Sequence, residues 1–282
     1  MEEYRRAAER VLGRRIAAVE APDAWFLKAG LDAPTVQAAL VGRRFVAARR
    51  RGKLLLLDTD TDTDTDTGTG GGTGTGGDMD ADGGGSDRDG PTLGLRFGMT
   101  GRLLVDGSAP IERLEYGSAR EVPQWDRFGV RFDGGGRLVM RDPRRLGGVL
   151  LEPDEDRLGP DAAVVTAAGL RAALAGSAAP LKARLMDQSR LAGLGNLLTD
   201  EALWRAGLDP ARPAGSLSAA ELRRLHRHLR ETLAVLGARG GSHTGDLHVS
   251  RVRGGRCPRD GAALDRRTVG GRTTYSCPRH QR

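Results

Sequence analysis

Cys257-Pro258-Arg259-Asp260-Gly261 and, a few residues on, Gly271-Arg272-Thr273-Thr274-Tyr275-Ser276-Cys277-Pro278-Arg279-His280 stand close to the end of the chain and contain its only two cysteines. Each cysteine opens a turn that offers a second metal-type ligand three positions on. Two such half-sites, Cys257/Asp260 and Cys277/His280, suit a tetrahedral ion, because each tight turn brings two donors to one side and the strands between them fold back to join the halves. One structural zinc ion is therefore expected, although carboxylate is the less common donor in such sites. A Cys257–Cys277 disulfide is the competing reading, and it leaves the placement of Asp260 and His280 and the doubled Cys-Pro-Arg unexplained.

Working outward, 282 residues with 38% hydrophobic content can bury a substantial core, with two domains more in keeping with that length than one. No stretch is long and apolar enough to span a bilayer, and Met1-Glu2-Glu3-Tyr4-Arg5-Arg6 is no signal peptide, so a cytoplasmic protein is expected. Net charge is +7, yet residues 58–90 hold ten Asp and one Arg, which leaves +16 on the remainder. That remainder has the composition of a polyanion binder. Its cations are nearly all arginine, with Lys28, Lys53 and Lys182 the exceptions; arginine forks suit phosphate, although genome base composition also favours them.

Residues 58–92, an Asp-Thr repeat followed by a Gly/Thr/Asp tract, are a low-complexity insert with almost nothing apolar to bury, and disorder is expected there. The insert lies between the strand-like runs Lys53–Leu57 and Leu95–Met99, which makes it an expanded hairpin loop. It lacks the Gly and distal Glu of a calcium loop. An acidic loop of this kind is also a candidate competitor for a basic groove.

Helical spacing marks Glu2–Arg14, and a strand follows at Arg15–Glu20. β-type runs recur at Phe45–Leu57, Leu95–Val105, Arg127–Phe132, Arg137–Met140 and Gly148–Leu151, separated by Gly- and Asp-containing turns. Beyond Pro160 the character changes to helix at 167–176, 181–190, 195–207 and 218–237, with Ser218 and Glu221 as a capping box. The expected fold is α+β: a domain at 1–155 with an N-terminal helix and a β-sandwich, a helical domain at 156–240, and a zinc hairpin at 245–282.

Five motifs occur in order: Arg51-Gly52-Lys53; Gly98-Met99-Thr100-Gly101-Arg102; Asp142-Pro143-Arg144-Arg145-Leu146-Gly147; Asp187-Gln188 with Gly193-Leu194-Gly195-Asn196 and Asp200-Glu201; and Gly271-Arg272 with Cys277-Pro278-Arg279. Together they resemble the formamidopyrimidine-DNA glycosylase and endonuclease VIII family of base-excision-repair enzymes, and the resemblance covers the whole chain apart from the insert. It implies a helix–two-turns–helix element around Gly193–Asn196, duplex DNA carrying an oxidised or abasic nucleotide as partner, glycosylase with AP lyase activity, and a bacterial, nucleoid-associated monomer.

The resemblance also implies residue roles. Turning a nucleotide out of the stack costs a few kcal/mol, and side chains must fill the vacated space. Met99, Arg144 and Leu146 match the void-filling positions; the third is commonly Phe, so Leu146 weakens stacking on the opposite strand. Asn196, Arg272 and Lys53 match phosphate contacts, and the two glycines permit close approach of the backbone. Taken singly, Met99 reads as a core residue, the Gly-Leu-Gly-Asn run as a helix cap, and Lys53 as an exposed strand-edge lysine.

The family opens with P-E-L-P-E-V-E, whose terminal proline is the nucleophile and whose neighbouring glutamate handles protons. Aligned on the first helix, Met1 falls at the V of that motif. A valine codon, GTG, doubles as a bacterial start codon, so a start several codons upstream is the expected explanation, with genuine loss as the alternative. Glu2 and Glu3 lie within the helix and take no catalytic role. The rival functions are a non-catalytic binder of damaged or abasic DNA and, more distantly, an RNA-binding protein, against which the Met99 and Arg144 motifs argue.

Overall fold

The computed structural model describes residues 1–60, 90–111, 114, 120 and 122–282. The expected disorder at 61–89 lies outside them. The chain divides into two units, one formed by Glu3–Arg49 and Leu54–Pro153, the other by Met1–Glu2, Arg50–Lys53 and Asp154–Arg282.

The first unit is a sandwich of two four-stranded sheets. Strands β1 (Ile16–Glu20), β6 (Asp126–Phe132), β7 (Arg137–Arg141) and β5 (Arg102–Val105) form one sheet in that order. The other runs β2 (Phe45–Arg51), β3 (Leu54–Thr59), β4 (Thr92–Arg96), β8 (Gly148–Leu151). Phe45 on one sheet meets Phe132 on the other edge to face, with ring centroids 6.2 Å apart. Leu55, Leu57, Leu93 and Leu95 are fully buried, as are Leu103, Val130 and Leu138. Helix α1 (Glu2–Ala8) is shorter than its apolar spacing predicts: it tightens to a 3-10 turn over Glu9–Val11 and stops before Gly13, whose φ is 75°. Tyr4 anchors it, donating its hydroxyl to the Gly101 carbonyl at 3.0 Å. Helix α2 (Ala33–Leu40) is absent from the sequence reading, although Asp32 accepts from the Thr35 amide at 2.8 Å and Pro34 stands in the first turn, both ordinary start signals.

Two strand-like runs are broken in the structure. Phe45–Leu57 divides at Gly52, whose φ of 60° makes a turn, so Lys53 lies in a turn and not on a strand edge. Leu95–Val105 divides at Phe97–Gly101 because β4 and β5 belong to different sheets. At the border of the insert, Asp58 and Thr59 belong to β3 and Thr92 to β4, paired in register Asp58↔Thr92. Asp58 is fully buried because Arg49 pairs with it at 2.5 Å and the Thr92 hydroxyl donates to it at 2.9 Å.

The second unit packs α3 (Ala167–Leu174), α4 (Leu181–Met186), α5 (Asn196–Ala206) and α6 (Ala219–Ala238) around buried leucines, among them Leu170, Leu185, Leu203 and Leu225. Each such side chain contributes about 2 kcal/mol of burial free energy. The capping box at Ser218 and Glu221 is present on both arms. Helix α4 ends at Met186, four residues before its predicted end, because the Asp187 carboxylate takes the Ser189 amide (3.0 Å) and hydroxyl (2.7 Å), a local bond that competes with the helix ladder. The hairpin β9 (Asp265–Val269) and β10 (Arg272–Ser276) completes this unit.

Under the hairpin lies a buried ionic network. Lys182 on α4 and Asp200 on α5, both with fully buried side chains, pair at 2.7 Å, and Arg251 reaches the other Asp200 oxygen at 3.1 Å. Lys182 also donates to the Thr274 hydroxyl at 2.8 Å and to the Thr273 carbonyl at 3.1 Å. Burial pushes Asp200 up and Lys182 down, and their mutual attraction opposes both shifts. Replacing Lys182 with Ala takes from a buried carboxylate one of the two cations beside it, and a loss of roughly 3 kcal/mol of unfolding free energy is expected in urea titrations.

Candidate functional site: two loop clusters and a metal centre

The register of the first unit explains why Met99, Arg144 and Leu146 come together. Arg96 pairs with Gly148 across β4 and β8, and Arg102 pairs with Arg141 across β5 and β7. The loop from β4 to β5 and the loop from β7 to β8 therefore span the same two sheets in opposite directions and are neighbours at both ends. Side by side, they allow no room for a Cβ at the crossing points: one on Gly98 would stand 2.7 Å from the Leu146 backbone, and one on Gly147 would stand 2.3 Å from the Arg96 carbonyl oxygen. This is the structural reason for Gly in both motifs. Met99 is 55% exposed and Leu146 44% exposed, so neither is a core residue, and Arg144 is exposed with them.

The second unit assembles a different group. The turn Arg50–Lys53 is held by Asp161, whose carboxylate accepts from the Gly52 amide and from Arg50, each at 2.7 Å. A Cβ on Gly52 would meet Gly193 N at 2.9 Å, so the turn lies against the loop between α4 and α5. That loop is stitched by Gln188, which accepts from the Gly193 amide (3.0 Å) and donates to the Met186 (2.8 Å) and Leu194 (3.1 Å) carbonyls. Lys53 donates to the Leu194 carbonyl at 2.5 Å, beside Gly195 at the start of α5. Although the residue as a whole is exposed, protein around its ammonium desolvates it, and with the Arg272 charge this lowers its proton affinity below the usual lysine value.

Arg272 follows the Gly270-Gly271 turn, whose positive φ values of 57° and 72° let the hairpin tip lie close to Ala183 on α4. Asn196 donates to the Thr273 carbonyl at 3.2 Å, the same oxygen that receives Lys182. Lys53, Asn196 and Arg272 thus converge at the N-terminus of α5, where the opening amides of a helix and two cations are chemically suited to an anion.

The four predicted metal donors also converge: Cys257, Asp260, Cys277 and His280 place one ligand atom each within 4.8 Å of one another. The thiols are unbonded to each other. Tetrahedral zinc with its usual bond lengths requires donor separations of roughly 3.3–3.8 Å. Cys277 Sγ lies 3.3 Å from Asp260 and Cys257 Sγ 3.8 Å from His280 Nδ1. His280 Nδ1 to Asp260 Oδ2 is shorter, a 2.9 Å hydrogen bond that an intervening ion would replace. This bond and the Ala262 amide hold the Asp260 carboxyl well below its usual range, whereas burial pushes the Cys277 thiol up.

Outer contacts orient the donors. Trp204 Nε1 donates to Cys257 Sγ at 3.3 Å, the Trp204 carbonyl lies 3.3 Å from His280 Nε2, and the Cys277 amide donates to Gln281 at 2.7 Å. The residues present fit a metal ion. Sequence reasoning left Trp204 unassigned because its signal, a tryptophan on α5, reads simply as core. Gln188, Thr100 and Asp142 stood inside the quoted motifs, yet their positioning contacts depend on partners that only the fold supplies.

Residues 1–149 match the formamidopyrimidine-DNA glycosylase N-terminal domain, and residues 158–246 match the formamidopyrimidine-DNA glycosylase H2TH domain. The chain is 34% identical over 292 residues to a formamidopyrimidine-DNA glycosylase of Paracoccus denitrificans, covering 94% of this chain and 92% of that protein. It is 41% identical over 170 residues to one from Thermus thermophilus, covering 51% of this chain and 64% of the relative. Among solved structures, Lactococcus lactis Fpg in complex with a Fapy-dG-containing DNA superimposes with a TM-score of 0.74 at 24% identity, covering 100% of this chain and 98% of that one. The same protein in complex with DNA containing an abasic site gives a TM-score of 0.74 at 24% identity, covering 100% and 97%. At that identity the likeness is one of fold.

Proposed function

The chain belongs to the formamidopyrimidine-DNA glycosylase family, and from that premise we propose that it is a base-excision-repair glycosylase with AP lyase activity, removing oxidised bases from duplex DNA. The observation that carries this reading is the gathering of Lys53, Asn196 and Arg272 beside the start of α5, with Lys53 on the Leu194 carbonyl and Asn196 on the Thr273 carbonyl next to Arg272; burial, and after it the Arg272 charge, lower the proton affinity of Lys53. Two neighbouring cations of this kind are relieved by a phosphate. Asn196 and the opening amides of α5 supply neutral donors to the same group. Met99, Arg144 and Leu146, exposed on adjoining loops, fill the space left by a nucleotide that has turned out: Met99 as an apolar wedge, Arg144 as a donor to the orphaned base.

Cys257, Asp260, Cys277 and His280 hold one zinc ion, whose contribution is to the folding of the hairpin that carries Arg272. In the family reaction an N-terminal secondary amine attacks the lesion's sugar carbon and forms a Schiff base.

Binding isotherms at several salt concentrations, for intact duplex and for duplex with an abasic analogue, test the division of roles. Neutralising Arg272 is expected to weaken both duplexes alike and to flatten the salt dependence by about one unit of slope, because one fewer counterion is released. Met99→Ala is expected to leave intact-duplex binding nearly unchanged and to lower the preference for the abasic site. Parallel loss of both affinities in both variants would make Met99 a packing residue and remove the void-filling assignment.

A further inference from the structure

Asp142 occupies an unusual place in the first unit. It is fully buried, yet it belongs to a crossover loop rather than to the sheet interior. One carboxylate oxygen accepts from the Thr100 hydroxyl at 2.5 Å and from the Arg144 amide at 3.1 Å, and the other accepts from the Gly147 amide at 2.7 Å. The Asp142 backbone is fixed on both sides, its amide donating to the Trp125 carbonyl at 2.8 Å and its carbonyl accepting from Arg127 at 2.9 Å. Thr100, 1% exposed, is the immediate neighbour of Met99. A single side chain therefore joins the loop that carries Met99 to the loop that carries Arg144 and Leu146.

Between those two residues, Arg145 takes a left-handed conformation with φ 56°, which is costly for a residue with a side chain. Its guanidinium reaches the buried Asp23 at 2.6 Å, and Arg127 reaches the same carboxylate at 3.4 Å. Met99 and Leu146 are about half exposed and have little packing to set their positions, so their spacing depends on the backbones beneath them. Groups that act together on a ligand lose effectiveness when misplaced by as little as an ångström, and buried hydrogen bonds to a charge are the strong means of preventing this.

We propose that Asp142 and Thr100 form a positioning pair that sets the two loops in register before DNA arrives, so that Met99, Arg144 and Leu146 enter the vacated space as one unit. The inference rests on the void-filling reading of those three residues. Asp142→Asn keeps the volume but turns an amide NH2 group toward donors that need an acceptor. Thr100→Val removes the hydroxyl at nearly constant shape, and Thr100→Ser restores it.

The test uses the full chain and duplexes carrying 2-aminopurine next to a tetrahydrofuran abasic analogue, read by affinity and by the fluorescence rise that accompanies unstacking. Asp142→Asn and Thr100→Val are each expected to lower the abasic-over-intact preference about tenfold, the scale of one charge-assisted hydrogen bond. They are also expected to blunt the fluorescence rise while leaving intact-duplex affinity near its starting value. The double variant should be no worse than Asp142→Asn alone, because the contact that Thr100→Val removes is already disturbed there, and Thr100→Ser should behave as the unaltered protein.

Should Asp142→Asn fold poorly, the contrast between Thr100→Val and Thr100→Ser carries the same information. If Met99→Ala lowers the preference and neither Asp142→Asn nor Thr100→Val does, the positioning role is overturned while the void-filling reading stands. If the pair variants lower both affinities in parallel, Asp142 is merely structural and the proposal fails. If Met99→Ala changes nothing, the void-filling reading itself falls, and the positioning role with it.

Discussion

Chelation of the purified protein is expected to release one zinc ion, unfold the hairpin containing β9 and β10, and weaken binding to damaged and intact duplex together. The effect should be large because metal-binding free energy in such a site is folding free energy, on the order of 10 kcal/mol. The donors are themselves part of the packing that holds the hairpin, since Cys257 and Cys277 share a small apolar cluster with Trp204 and Leu247. Arg272, Thr273 and Thr274 are on β10, so loss of the hairpin also removes two partners of Lys182 and the Thr273 carbonyl that holds Asn196. Metal content by atomic spectroscopy, followed by a thermal melt with and without chelator, checks the expectation. Cys277→Ser should abolish binding of the ion, and Asp260→Ala should reduce both zinc content and melting temperature. Unchanged values for Asp260→Ala would remove that residue from the donor set; His243 and His248, the other nearby imidazoles, are not in the cluster.

The second large effect is all or nothing. Protein carrying Pro-Glu-Leu-Pro-Glu ahead of Met1 is expected to form a covalent adduct with abasic-site duplex under borohydride, whereas protein beginning at Met1 should bind the same duplex without being trapped. The reason is chemical: Schiff-base formation needs an unprotonated amine at the sugar carbon, and the lysine nearest the proposed phosphate site, Lys53, spends its ammonium on the Leu194 carbonyl. Equal trapping of both forms would point to Lys53 or the α-amine of Met1 as the nucleophile. Binding by both with trapping of neither would favour a non-catalytic reader of abasic DNA.

Much of this was legible without coordinates because the informative features are local. Cys257/Asp260 and Cys277/His280 are each three residues apart, so turn geometry alone brings each pair together, and the four donors do meet in one cluster. The Ser218 and Glu221 capping box is likewise a matter of three residues. The strand runs were harder to divide. Nothing in the apolar pattern of Leu95–Val105 marks the point where the chain leaves one sheet for the other, since both halves bury leucines. Asp58 was read as the start of a solvated insert because acidic repeats usually are solvated, yet Arg49 and the Thr92 hydroxyl draw it into the strand.

By itself the sequence determined the order of the parts: sandwich strands, then helices, then a hairpin with four candidate metal donors, with Met99, Arg144, Asn196 and Arg272 each in a recognisable short motif. These are consequences of periodicity, turn chemistry and donor spacing, which act over a few residues. Tertiary structure alone decided which distant groups share one environment. It brought Thr100 within 2.5 Å of Asp142, joined Lys182 to Asp200 beneath β10, and placed Trp204 Nε1 on Cys257 Sγ. Such pairs depend on sheet register and helix packing, which are set by the burial of the whole core, so no window of neighbouring residues contains them.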